Sequence, residues 1–190
     1  MNSKTKNLVG IGLLTAIVVV LQMIGSFIKF GPFSISLVLA PIIIGAALYG
    51  VYAGAWLGFV FGVVVLFTDA GAFLAVNVPG TIITCILKGA AAGFVAGFVY
   101  KLLSKKNSFA AVIASAVAAP VCNTGLFLVG CMIFFLDTIR GWGEAAGFAN
   151  VGVYLIGGMV GINFIVELVV NLLLVTTIAF LISTGRKTIR

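Results

Sequence analysis

Histidine is absent from the chain, which removes the commonest general base and metal ligand at neutral pH. Charge is nearly as scarce. Of 190 residues, eleven are Lys or Arg and four are Asp or Glu, 8% in all, where a soluble globular chain carries about 25%. The three cysteines, Cys85, Cys122 and Cys131, fall inside apolar runs without C-x-x-C spacing. They read as small core residues, not as a disulfide frame or metal site. The four acids are too scattered for a metal cluster. Together these shortages exclude a soluble enzyme fold, a secreted disulfide scaffold and a disordered segment. In their place stand 63% hydrophobic residues and 24 glycines, the composition of packed membrane helices. The net charge of +7 invites a nucleic-acid reading, but the basic residues cluster where membrane topology wants them.

A transmembrane helix needs about 20 mostly apolar residues. The sequence offers six candidates, at about 8–28, 35–50, 52–68, 79–100, 109–136 and 151–183. The expected fold is all-α, a single six-helix membrane domain over 1–190. The second and third candidates almost touch, so a tight hairpin is expected between them. With the N-terminus inside, the cytoplasmic side collects Lys4, Lys6, Lys101, Lys105, Lys106, Arg186, Lys187 and Arg190. The outer side keeps Lys29 and Arg140 beside the acidic Asp69, Asp137 and Glu144. That bias orients a multi-pass plasma-membrane protein with both termini cytoplasmic. The first span is too long for a signal-peptide core and lacks an A-x-A site, so it is expected to stay in the mature chain.

Glycine recurs every four residues at Gly50, Gly54, Gly58 and Gly62, and again at Gly89, Gly93 and Gly97. Gly12 and Ala16 form a shorter pair on the first span. Small residues four apart share one helix face and let backbones approach closely. For the third and fourth spans this spacing predicts packing inside the bundle. On the first span, internal packing and a docking face for another membrane subunit both fit.

Ionisable residues in hydrocarbon are costly and ask for a reason. Lys88 and Glu167 stand out, accompanied by Asn123, Asn163 and Asn171. At 1.5 Å per residue, Lys88 lies about 14 Å below the outer end of its helix, Asn163 roughly 18 Å, Asn123 roughly 20 Å and Glu167 roughly 24 Å. One reading is a solute site opening outward, with Lys88 pairing an anionic group and the two asparagines orienting polar atoms. The other is a Lys88–Glu167 ion pair with amides bonding between helices. Asn171 is assigned to packing. Pro120, three residues before Asn123, is expected to kink its helix and aim that amide inward. In the first outer loop, Phe30 and Phe33 flank a Gly-Pro hinge and form either a lid or an interfacial aromatic belt. The last outer loop, with Arg140, Trp142 and Glu144, is a candidate opposite wall.

The constellation resembles the substrate-binding S components of energy-coupling-factor (ECF) vitamin transporters. The resemblance spans the chain. It rests on the size, the six spans, the Gly12–Ala16 pair, the segment Phe30-Gly-Pro-Phe-Ser-Ile-Ser-Leu-Val-Leu-Ala-Pro41 and the following Gly45-Ala-Ala-Leu-Tyr-Gly-Val-Tyr-Ala-Gly54. It implies a chain that captures a vitamin from outside. The chain would associate through its first helices with a membrane-embedded coupling subunit carrying two ATPases, and reorient in the bilayer to release its cargo. The first helix of the family usually carries Ala-x-x-x-Ala; Gly12 replaces the first alanine and keeps the small surface. Family pockets correspond to Phe30, Phe33, Lys88, Asn123 and Asn163. No G-x-x-x-x-G-K-[ST] loop is present, and Gly185-Arg-Lys-Thr188 is not one. The resemblance therefore leaves ATP hydrolysis to the partners, with no cofactor bound by this chain.

A buried cation favours a carboxylate-bearing solute such as pantothenate or a biotin-like acid over cationic thiamine. Riboflavin or a deazaguanine fits if Glu167 neutralises Lys88. The rival function is a stand-alone secondary transporter using Lys88 and Glu167 for ion or proton coupling, although no repeat between halves supports it. An intramembrane enzyme is a weaker third, because the lack of histidine excludes Ser-His and His-ligated designs.

Overall fold

The computed structural model describes residues 3–27, 29–30, 33–34 and 37–189. Helix α1 (Ser3–Gly25) leads to two two-residue strands, β1 (Lys29–Phe30) and β2 (Phe33–Ser34), paired antiparallel with Phe30 opposite Phe33. Then come α2 (Leu39–Tyr49), α3 (Val51–Thr68), the single turn α4 (Gly71–Leu74), α5 (Val78–Leu103) and α6 (Ser108–Phe134). An amphipathic helix α7 (Leu136–Ala145) precedes α8 (Val151–Val153), a π-helical stretch (Tyr154–Val160), α9 (Gly161–Leu173) and α10 (Val175–Ile189).

Among the described residues, five helical stretches are long and apolar enough to cross a bilayer, Val151–Leu173 being the last of them. The expected second span is the exception. Helix α2 has 11 residues and reaches about 16 Å, roughly half of a 30 Å hydrocarbon core. Its apolar positions serve the interior, since Leu39, Ile42 and Ile43 are fully buried. The hairpin after it is as tight as expected. Gly50 at φ 99° ends α2 and starts α3, a left-handed backbone that glycine adopts without a Cβ penalty.

The expected uninterrupted helix over 151–183 is instead segmented. Gly157, Gly158 and Gly161 sit in or just after the π-helical stretch, where missing side chains loosen the i→i+4 ladder. The starts of α5, α6 and α8 carry asparagine caps. Asn77 Oδ1 accepts from Gly80 N–H at 2.9 Å, Asn107 Oδ1 from Phe109 and Ala110, and Asn150 Oδ1 from Gly152 at 2.7 Å. Each satisfies backbone donors that a helix start leaves open.

The glycine rows of α3 and α5 face each other. A Cβ on Gly54 would strike the Gly93 carbonyl, one on Gly58 the Gly89 carbonyl, and one on Gly62 the Cys85 carbonyl. The helices run antiparallel in one fixed register with their backbones touching, the close approach that small residues permit. Around this seam a cluster including Ile42, Leu57, Phe61, Val112 and Ile178 forms the main core. A second cluster, with Phe73, Phe135 and Ile139, closes the α7 end. Outward positions stay apolar, as at Tyr52 and Phe67, 86% and 85% exposed, and lipid is the solvent such a surface fits. Gly12 behaves oppositely to the seam glycines: it is exposed, a Cβ there would meet nothing within 4 Å, and Ala16 is exposed beside it.

Gly58→Val is expected to cost about 1–3 kcal/mol through overpacking, visible as a lower thermal midpoint of the detergent-purified chain. Gly12→Val should leave that midpoint unchanged. Equal effects would contradict the assignment of the two glycines to seam and surface.

Candidate functional site

A cavity of about 760 Å³ of empty space, including the part open to solvent, lies between α1, α3, α5, α6 and α9. Its lining includes Lys88, Asn123, Asn163 and Glu167, so four polar residues singled out from the sequence converge on one space. The register explains why. Thr81, Thr84, Cys85 and Lys88 repeat at helical spacing on the cavity face of α5, while Gly89, Gly93 and Gly97 take the face toward α2 and α3. On α6, Ser115 Oγ donates to the Ala96 carbonyl at 3.0 Å, and Gly130 lies against Thr84. Between those two points Asn123 comes level with Lys88 to within a turn. The α6 helix runs through Pro120 without a break, and Asn123 lines the cavity as expected.

Lys88 is half-buried, its Nζ 5.4 Å from the centre of the Phe127 ring and 5.6 Å from that of Phe61. An ammonium over a desolvated ring face gains on the order of 2 kcal/mol. That holds the charge inside without spending its three N–H donors on the rings' edges. Asn123 and Asn163 are 5% and 7% exposed, and their Oδ1 atoms have no hydrogen-bond partner. Both are unusual for buried amides, which are nearly always bonded. Asn171, by contrast, donates from Nδ2 to the Glu167 carbonyl at 2.8 Å, in keeping with a packing role.

Three lining residues escaped the sequence reading. Asp69, expected in an outer loop, faces the cavity, where its Oδ2 accepts from Gln22 Nε2 and from Thr68 Oγ1, both at 2.8 Å. Gln22, on α1, is 1% exposed. Thr84 is 6% exposed with an unpartnered Oγ1. Gln22 was legible by the logic that flagged Lys88, being the one amide in a long apolar run. Asp69 was not, because the group that marks it as part of the bundle, Gln22, lies 47 positions away in the chain.

The candidate opposite wall acts one layer out. Trp142 is packed edge-on against Phe73 at 5.5 Å, and Phe73 lines the cavity. Arg140 spends its charge on Asp137 at 3.4 Å, with side chains 54% and 95% exposed. Phe30 and Phe33 supply backbone to the β1–β2 pair; their side chains lie outside the described residues, so the lid expectation does too.

Most of the buried polar groups of this membrane bundle face one cavity, and comparison with known proteins supplies the family. The family model for the ECF transporter, substrate-specific component, matches residues 6–179. The chain belongs to that family. It is a multi-pass membrane component of a transporter and not an enzyme. Over 203 aligned residues it is 27% identical to the pantothenic acid transporter PanT of Lactococcus lactis subsp. cremoris (strain MG1363), covering 97% of each chain. Its fold is similar to that of ThiT from Listeria monocytogenes, with a TM-score of 0.67 over 99% of both chains at 20% identity.

Within this S component the orphaned amide oxygens carry a measurable cost, about 1–3 kcal/mol for a buried acceptor left unmade. Asn123→Leu is therefore expected to raise the thermal midpoint of the solute-free chain while weakening solute binding. A lowered midpoint without solute would show that the amide supports the bundle instead.

Proposed function

We propose that this S component captures a carboxylate-bearing vitamin of the pantothenate type from outside the cell. Lys88 pairs the carboxylate, Asn123 and Asn163 orient the solute's polar atoms, and Phe30 and Phe33 close over it. The observation that carries this reading is the Lys88 ammonium, held over two aromatic faces inside a cavity with unpartnered amides. Similarity to a pantothenic acid transporter points the same way. Glu167 sets the balance of charge in the same space.

In this reading the chain crosses the plasma membrane six times, and both termini face the cytoplasm with their lysines and arginines. Gly12 and Ala16, bare on α1, meet a membrane-embedded coupling subunit whose two ATPases drive uptake. A small-residue face lets a partner helix approach closely in lipid. The stand-alone secondary transporter is not favoured, since the family works as the substrate-specific part of a larger transporter.

Lys88→Ala is expected to weaken pantothenate binding by roughly 100-fold, the cost of removing one partner of a buried charge pair, with the chain still inserted and monodisperse. Titration calorimetry in detergent reads this directly, and unchanged affinity would overturn the role of Lys88. Gly12→Leu and Ala16→Leu are expected to abolish vitamin uptake by cells while the purified chain binds pantothenate as before. Loss of both activities would mean that this face packs within the chain.

A further inference from the structure

We infer that Gln22 and Asp69 form an acceptor pole of the cavity, which selects solutes bearing hydroxyl or N–H donors at the end remote from their carboxylate. The inference rests on reading the cavity as the solute site, and it adds a second determinant to the Lys88 end.

A carboxylate only accepts hydrogen bonds. Asp69 Oδ2 takes two donations, from Gln22 Nε2 and Thr68 Oγ1. Because the Gln22 amide must turn its N–H to that oxygen, its Oε1 is turned away. That Oε1 is buried without a partner, and so is Asp69 Oδ1. Both residues line the cavity, and Thr84, one turn from Lys88 on α5, lines the wall between the two ends. Orphaned acceptors at one end of a cavity call for donors, and none reaches Gln22 Oε1 or Asp69 Oδ1 among the described residues.

Lys88 does not supply them. Among the described residues no ion pair joins its ammonium to Asp69. The spacing follows from the seam. Continuing the register that sets Gly54 against Gly93, Gly58 against Gly89 and Gly62 against Cys85 brings Asp69 level with Val78. That point is about 15 Å along α5 from Lys88. The lysine side chain leans toward the start of its helix, over Phe61, which shortens the gap to roughly 10 Å. A solute that satisfies both ends is therefore about 10 Å long, anionic at one end and donor-bearing at the other.

Charge supports the same conclusion. One ammonium and two carboxyl side chains, Asp69 and Glu167, line the cavity. A solute offering only a carboxylate would answer Lys88 and add a like charge opposite Asp69, whereas hydroxyl or N–H donors at the far end stabilise that carboxylate. A site built to bond such groups rejects an analogue lacking them far more strongly than an apolar pocket distinguishes shapes.

The test is titration calorimetry of the full chain with pantothenate and with the β-alanine amide of tert-butylacetic acid, which keeps the carboxylate and amide and lacks both hydroxyls. The wild-type chain is expected to prefer pantothenate by roughly 100-fold. Asp69→Asn and Gln22→Met should each shrink that preference by about tenfold, acting on pantothenate and leaving the analogue's affinity nearly unchanged. Lys88→Ala should weaken both ligands together. Equal wild-type affinity for the two compounds would overturn the inference, as would a preference that survives both substitutions. Gln22→Met, which leaves the Asp69 carboxylate in place, keeps the test open if Asp69→Asn fails to fold. If the wild-type chain binds neither compound, the pantothenate reading fails by itself. Native mass spectrometry of the solute that co-purifies then decides the acceptor pole. A solute carrying hydroxyl or N–H donors away from its anionic group supports it, and one without them overturns it.

Discussion

Backbone touches backbone where α3 crosses α5, and the rest of the molecule is arranged around that contact. Two helices that meet through glycine have almost no freedom to slide, because each carbonyl occupies the place where the opposite Cβ would be. In lipid, where apolar side chains gain little by leaving the solvent, such close packing supplies much of the association. The seam also orders α5. One face is committed to α3, so the face carrying Thr81, Thr84 and Lys88 is turned toward α6 and α9. A lysine in that position is not free to escape to either membrane surface. It rests on Phe61 and Phe127, and the cavity forms where its charge must be accommodated.

The polar groups in this cavity oppose stability as ordinarily understood. Several buried oxygens, on α1, α5, α6 and α9 and just past the end of α3, have no hydrogen-bond partner among the described residues, where nearly all buried polar atoms in folded chains do. Departures of this kind concentrate at functional sites, where local cost is offset by the rest of the fold. A capturing subunit gains from the arrangement. Buried acceptors have no further water to shed when a matching group arrives, which is a form of preorganisation.

Much of this was legible in the chain itself. The four-residue glycine rhythm fixes which helix faces pair, and Lys88, Asn123 and Asn163 are conspicuous because hydrocarbon makes polar residues expensive. What was not legible has specific causes. Helix α2 has the hydropathy of a span but only 11 helical residues, since its apolar positions are answered by protein and not by lipid. The last span reads as one helix because composition does not register the change to π-helical turns at Tyr154–Val160. Asp69 reads as a loop acid because its neighbours in sequence say nothing of Gln22, 47 positions earlier. Gln22 lies near the outer end of the first span, where an amide is less costly than at mid-bilayer and so stands out less. The joint pattern that resembled the S components carried information no single motif held.

The contrast between seam and cavity bears on how such a scaffold can change its cargo. Along the glycine rows of α3 and α5 backbone meets backbone, so an added carbon there forces the helices apart. Around the cavity, by contrast, the walls on α1, α6 and α9 are made of side chains that can be exchanged singly. Diversity of diet is therefore accessible to this architecture through its upholstery, while the frame on which it is stretched admits almost no alteration.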